Sequence, residues 1–272
     1  MSDPAADFKQ GNRQMWGAAG HWDEASNLIA TAGPTLLDHV GLEEGMEVLD
    51  VGTGSGGTLA IPAALQGARV VGSDLTPELF DDARRRAAAA GVEIEWIEAD
   101  AESLPFEDGR FDRVLSTFGH MFAPRHARAG AELARVCKPG GIVGTTTWTP
   151  DGSTGEFFKV MAAFMPPMPD FVEPPVLWGD EQHVREMLEP HGLELEFARG
   201  HVVFIKDSAE ALVSFQEENF PPVAMAKNML GERWPELRSQ VLAKTEEWNS
   251  ADDGSLRIEA EFLITTGRKG EQ

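Results

Sequence analysis

Val48-Leu-Asp-Val-Gly-Thr-Gly-Ser-Gly-Gly57 decides the architecture of this chain. A short apolar run that breaks into four glycines reads as a buried strand entering a tight turn, because glycine tolerates positive φ and lets another backbone come close. Further apolar runs recur downstream at Arg69 to Ser73, Ile94 to Glu98, Arg113 to Ser116 and Ile142 to Thr147. Helical stretches separate them. Thr76-Pro-Glu78 reads as an N-cap, a proline at the first helical position and an early acid, and Gly91 closes that helix after an apolar stripe of Leu79, Ala83, Ala87 and Ala90. A second helix over His126 to Val136 turns Ala129, Leu133 and Val136 inward and is stopped by Lys138-Pro-Gly-Gly141. Strands alternating with helices predict an α/β fold with a parallel sheet.

The flanks have another texture. Residues 1–45 contain Gln14-Met-Trp-Gly-Ala-Ala-Gly-His-Trp22 and a helix reaching about Val40. Pro150 to Trp178 holds prolines 166, 167, 169, 174 and 175 with Met161, Met165 and Met168, too irregular for a repeating element, and reads as a loop-and-helix insertion. Leu193 to Phe197, His201 to Ile205 and Arg257 to Thr265 alternate as strands, with helices at Ala209 to Asn219 and Glu236 to Trp248. One domain over 1–272 is expected: an N-terminal lid (1–45), a core (46–150) and cap elements (151–190 and 207–250).

A net charge of −22 excludes polyanionic partners on electrostatic grounds, so nucleic acid is not expected. No run approaches the roughly 18 apolar residues needed to span a bilayer, and the N-terminus lacks the basic and apolar regions of a signal peptide, so no membrane partner and a cytoplasmic location are expected. A single cysteine, Cys137, permits neither an internal disulfide nor a multi-thiolate metal centre, and no metal site is expected.

The glycine loop fits two nucleotide-binding patterns. Gly52, Gly54 and Gly57 satisfy G-x-G-x-x-G, the dinucleotide fingerprint, while Asp50, Gly52, Gly54 and Gly56 satisfy D-x-G-x-G-x-G, the pattern of S-adenosylmethionine binders. Asp74, ending the second strand, suits two ribose hydroxyls and serves either ligand. Two observations favour the second. The chain has no tyrosine, which removes the Tyr-x-x-x-Lys pair of short-chain dehydrogenases, and Asp100 ends the third strand where it can accept from an adenine amino group. Asp100 and Glu102 also suit turn and capping positions.

VLDVGTGSGG, VVGSDLTPELF, IEADAESLPF, FDRVLSTFGHMF and RVCKPGG, in this order, resemble the successive motifs of class I S-adenosylmethionine-dependent methyltransferases, especially the ubiquinone/menaquinone-biosynthesis branch, over about residues 45–147. The resemblance implies a Rossmann-like, seven-stranded, mostly parallel sheet with one antiparallel strand and helices on both faces. It also implies S-adenosylmethionine as cofactor, with S-adenosylhomocysteine as product. By the same resemblance Asp50 lies near the methionine amino group, and Gly52, Thr53, Gly54 and Gly56 line methionine and ribose. Asp74 holds the ribose, Leu75 and Ala101 border the adenine with Asp100, and Thr117 adjoins the amino-acid end. Trp16 and Trp22 are lid candidates.

Methyl transfer is a direct displacement that demands alignment and dryness, and a base only where the acceptor loses a proton. His120, just past the fourth strand, is the candidate base, with His21 in the lid a weaker one. Arsenite enzymes need more cysteines, RNA cytosine-5 enzymes a cysteine nucleophile after strand four, and nucleic-acid amino-methylating enzymes a Pro-Pro-aromatic pattern where this chain has Ser116-Thr-Phe-Gly119. A small organic acceptor remains, apolar or aromatic and suited to secondary metabolism, walled by Met161 to Trp178 and methylated at O, N or C by a monomer or homodimer. The alternatives are a non-catalytic adenosine-binding protein and an NAD-dependent oxidoreductase.

Overall fold

The structure, a computed structural model, describes residues 4–18 and 22–271, without the side chains of Pro4, Trp22 and Asp23. Three N-terminal helices, α1 (Pro4–Gly17), α2 (Trp22–Leu28) and α3 (Ala32–Val40), precede β1 (Glu47–Val51). The core continues as α4 (Ala60–Leu65), β2 (Arg69–Asp74), α5 (Phe80–Ala90), β3 (Glu95–Glu98), β4 (Phe111–Thr117), α6 (His126–Val136) and β5 (Cys137–Trp148). The second half comprises α7 (Ser153–Ala162), α8 (Glu181–Leu188), β6 (Leu193–Lys206), α9 (Ala209–Asn219), α10 (Pro221–Leu230), α11 (Trp234–Trp248) and β7 (Leu256–Lys269).

The strands form one sheet in the order β3-β2-β1-β4-β5-β7-β6. β1 to β5 run parallel, and β7 is antiparallel to both neighbours, as the resemblance implied. The order reverses between β1 and β4, so the chain leaves these adjacent strands in opposite directions and opens a crevice at their carboxyl ends. Central strands are covered on both faces, hence the continuous burial of Val48 to Val51 and Ile142 to Thr149. α3 packs on β4 and β5, α6 on the same pair, α4 on β2 and α8 on β6. Leu36, Leu49, Leu115 and Leu133 are fully buried in this core, each stabilising it by about 1.5–3 kcal/mol.

The sequence expectations need four adjustments. The helix placed after Thr76 begins as a 3-10 turn, Pro77–Leu79, and Thr76 makes no capping bond through its side chain. Its stripe is Phe80, Ala83 and Ala87, and Ala90 faces solvent. The two strands expected at 193–197 and 201–205 are one, because Gly200 does not break the ladder: a Cβ there would lie 2.3 Å from the ring of Phe262, so the glycine makes room for that ring. Lys138 to Gly141 bulge out of β5 between the pairs Phe111↔Cys137 and Arg113↔Ile142.

Candidate active site

Three glycines of the β1 turn take positive φ: Gly52 at 69°, Gly54 at 54° and Gly56 at 74°. Gly52 and Thr53 donate their N–H groups to Ser73 O at 2.8 and 2.9 Å, and Gly54 donates to Asp74 Oδ2 at 2.8 Å, so the ends of β1 and β2 are stitched into one floor. Asp74 Oδ1 accepts from Thr76 N at 2.9 Å. On the other side the segment after β4 folds against the same turn. A Cβ on Gly119 would lie 2.3 Å from Gly52 O, and Phe118 adopts φ 59°, a strained value for a bulky residue that its stack on Trp148 at 4.1 Å holds in place.

Behind the floor Asp50 accepts from Thr53 Oγ1 at 2.7 Å through Oδ2, while Oδ1 is buried without a partner. Burial raises its pKa from 3.8 to about 7, with Thr53 opposing and the neighbouring Asp74 adding to the rise. Burial raises Asp74 too, against the N–H groups of Gly54 and Thr76. Neither carboxylate has an ion-pair partner among the described residues.

A cavity of about 260 Å³ opens above this floor. Gly52, Thr53, Gly54, Asp74 and Leu75 line it, as do Asp100, Ala101, Thr117 and His120 from the next two strand ends, and Trp16 from α1. Asp50 and Gly56 do not line it. They support the wall from behind: Asp50 holds Thr53, and Gly56 leaves room for the Trp96 ring, which a Cβ would meet at 2.5 Å. The side chain of Trp22, and His21 altogether, lie outside the described residues.

Asp100 takes the turn role and also lines the cavity. Its Oδ1 accepts from Glu102 N at 2.9 Å, closing the turn, and its Oδ2 accepts from Lys9 Nζ at 2.6 Å. Lys9 also donates to Glu102 at 2.6 Å, and Arg13 bridges Glu78 and Glu98, so α1 is fastened across the crevice by ion pairs the sequence did not suggest. Trp16 meets Phe122 at 5.1 Å and Phe220 at 5.9 Å, edge to face.

His120 is 1% exposed, with Nε2 at 3.2 Å from Thr147 Oγ1 and Nδ1 without a partner. Burial lowers its pKa to about 3, so the ring stays neutral. The imidazolium a general base must form is therefore disfavoured.

The far half of the cavity corrects the expected acceptor wall. Met161 turns into a satellite core with Val213, Trp234 and Leu237, and Trp178 is fully buried against His120 at 4.4 Å, so neither lines the cavity. The wall comes instead from Phe157 and Phe158 of α7, Phe215 and Gln216 of α9, Phe220, and Trp248 of α11. Ser153 Oγ and Gln216 Oε1 are buried there with no partner, and the Lys244 ammonium is taken by Glu247 at 2.8 Å.

Asp74, a cavity-lining carboxylate without a cation at the edge of a glycine turn, suits a hydroxyl-bearing ligand. Residues 48–141 match the family described as Methyltransferase domain. The chain is 47% identical over 189 residues to the uncharacterised protein Rv1403c of Mycobacterium tuberculosis, covering 70% of this chain and 69% of that one. It is 40% identical over 116 residues to demethylmenaquinone methyltransferase of Thermus thermophilus, 42% of this chain and 53% of the relative. The chain belongs to the class I S-adenosylmethionine-dependent methyltransferases. This methyltransferase shares its fold with a putative methyltransferase of Bacillus halodurans, at a TM-score of 0.62 and 23% identity over 88% of this chain and 99% of the other. S-adenosylmethionine is its cofactor, and the dinucleotide reading of the loop falls. No helix among the described residues is long and apolar enough to cross a membrane.

Proposed function

We propose that this methyltransferase acts on a small, neutral, apolar or aromatic organic acceptor held between α7, α9 and α11. The carrying observation is the run of Phe157, Phe158, Phe215, Phe220 and Trp248 along one end of the cavity whose other end is the glycine floor. Such a wall rewards apolar area and offers a charged acceptor no counter-ion. Ser153 and Gln216 supply the polar handles that fix the acceptor's orientation, through the hydroxyl and amide oxygens that lack partners. The net charge of −22 supports a small molecule over nucleic acid.

Asp74 accepts from the ribose hydroxyls, Leu75 and Ala101 border the adenine, and Asp100 meets its amino group through Oδ2, the oxygen that Lys9 also holds. Gly52, Thr53, Gly54 and Thr117 line the remainder, with Asp50 stiffening the turn through Thr53. When bound, the cofactor supplies a methyl carbon activated by a sulfonium. The chain's own contribution is alignment and exclusion of water: Trp16 closes the α1 side against Phe122 and Phe220, so that of the expected lid and cap spans α1 serves as lid and α7, α9 and α11 as cap, while α3 and α8 pack in the core. His120 acts as a neutral wall residue rather than a base, which suits an acceptor that reacts without prior deprotonation.

The test is S-adenosylhomocysteine release with neutral aromatic acceptors against carboxylated or ammonium-bearing analogues of the same shape. A kcat/KM at least tenfold higher for the neutral series supports the reading; preference for the charged series overturns it.

A further inference from the structure

Beside Trp178, which also packs on His120, three segments distant in sequence bring His126, Glu173 and His183 together, with ligand-capable atoms all within 4.8 Å. We propose that these three side chains form a binding site for a divalent transition ion of the zinc class, separate from the methyl-transfer cavity.

His126 Nδ1 and His183 Nε2 face each other at 3.0 Å. Two nitrogens that each lie about 2.0–2.1 Å from one ion stand about 2.9–3.4 Å apart at angles between square and tetrahedral, so this separation already fits a shared ion. Glu173 Oε1 lies 3.9 Å from His183 Nε2, beyond hydrogen-bond reach, on a partly exposed side chain that needs a shift of roughly 1 Å or less to share an ion with it. The other carboxylate oxygen accepts from His126 N at 2.8 Å, which orients the carboxylate. His183 is oriented in turn by Asp180, whose Oδ1 accepts from His183 N at 2.8 Å at the start of α8. A plain N–H···N bond between the rings accounts for one proton and leaves Oε1 unused; an ion uses all three groups.

The donor set is two imidazoles and one carboxylate, which suits zinc and its neighbours rather than calcium or magnesium. His183 and Glu173 are partly exposed, which gives an entry path and room for water ligands. The site ties the first residue of α6 to α8 and to the segment leading to Trp178. Trp178 packs on His126 at 5.6 Å and on His120 at 4.4 Å, so the ion would hold the back of the cavity wall.

The experiment uses the full chain dialysed against a chelator, then titrated with zinc or cobalt chloride alone. Calorimetry is expected to show one ion per chain, Co²⁺ to give the visible absorption of a low-symmetry nitrogen-oxygen site, and a hundredfold excess over Kd to raise the melting midpoint by roughly 5–10 °C. His183→Ala and, independently, Glu173→Gln, which keeps an acceptor for His126 N, are each expected to weaken binding at least tenfold, while His201→Ala leaves it unchanged. No midpoint shift, several weak ions per chain, or binding indifferent to both His183→Ala and Glu173→Gln would overturn the site.

Discussion

Asp74→Ala removes the acceptor of the Gly54 and Thr76 N–H groups and, in the proposed binding mode, of the ribose hydroxyls. Hydrogen bonds to a charged group contribute about 1.5–3 kcal/mol, so the dissociation constant for S-adenosylhomocysteine should rise roughly 12- to 150-fold. The floor suffers as well. Two backbone donors lose their partner in a site open to water, and a cost of about 1–2 kcal/mol should lower the melting midpoint by roughly 2–8 °C. Asp74→Asn keeps one carboxamide oxygen and should fall between wild type and the alanine variant in both quantities. Titration calorimetry at a temperature well below every midpoint separates affinity from unfolding. An Asp74→Ala protein that melts cooperatively and binds S-adenosylhomocysteine within twofold of wild type would refute the ribose assignment.

Asp50 yields a pH dependence. Its folded pKa of about 7 lies above the unfolded 3.8, so the folded state holds the extra proton and stability falls as pH rises from about 4 to 7, by at most about 4 kcal/mol, then levels. Asp50→Asn should flatten this slope and make the variant the more stable protein at pH 8; midpoint curves of the two running parallel from pH 5 to 8 would contradict it. His120→Asn should leave the shape of the kcat pH profile unchanged, because the wild-type ring is already neutral, and loss of a limb between pH 5 and 8 would restore the base role. Gly119→Ala drives a Cβ to 2.3 Å from Gly52 O, so it should destabilise by roughly 1–3 kcal/mol and weaken cofactor binding with it, and an unchanged midpoint would mean the two turns are not in contact.

The cofactor half was legible because its logic is local. The β1 valines, the glycines and Asp74 sit within 27 residues, and each residue type answers a constraint of the turn or the strand it occupies. What escaped the sequence depends on contacts between distant segments. Lys9 meets Asp100 across 91 positions and Glu102 across 93, and no pattern in α1 announces its partners. The acceptor wall was misassigned for a related reason. Methionines and prolines near 161–178 suggested an adaptable lining, but α10 and α11 claim Met161 for their own small core, and Phe157, Phe158, Phe215 and Trp248 are left to face the crevice. Trp178, expected in the acceptor wall, is buried in the main core and fills the space behind His120. The cluster of His126, Glu173 and His183 spans 57 positions and carries no ligand spacing within any one element.

The central claim is that the floor made by Gly52, Gly54 and Asp74 cradles an adenosyl sulfonium compound. Midpoint shifts of the purified chain with S-adenosylmethionine, S-adenosylhomocysteine, NAD and NADP test it directly. At a hundred times its dissociation constant a ligand adds about 2.7 kcal/mol, a rise of roughly 5–10 °C. The structure predicts that rise with the two adenosyl compounds alone; a rise with NAD or NADP and none with the adenosyl pair would contradict it.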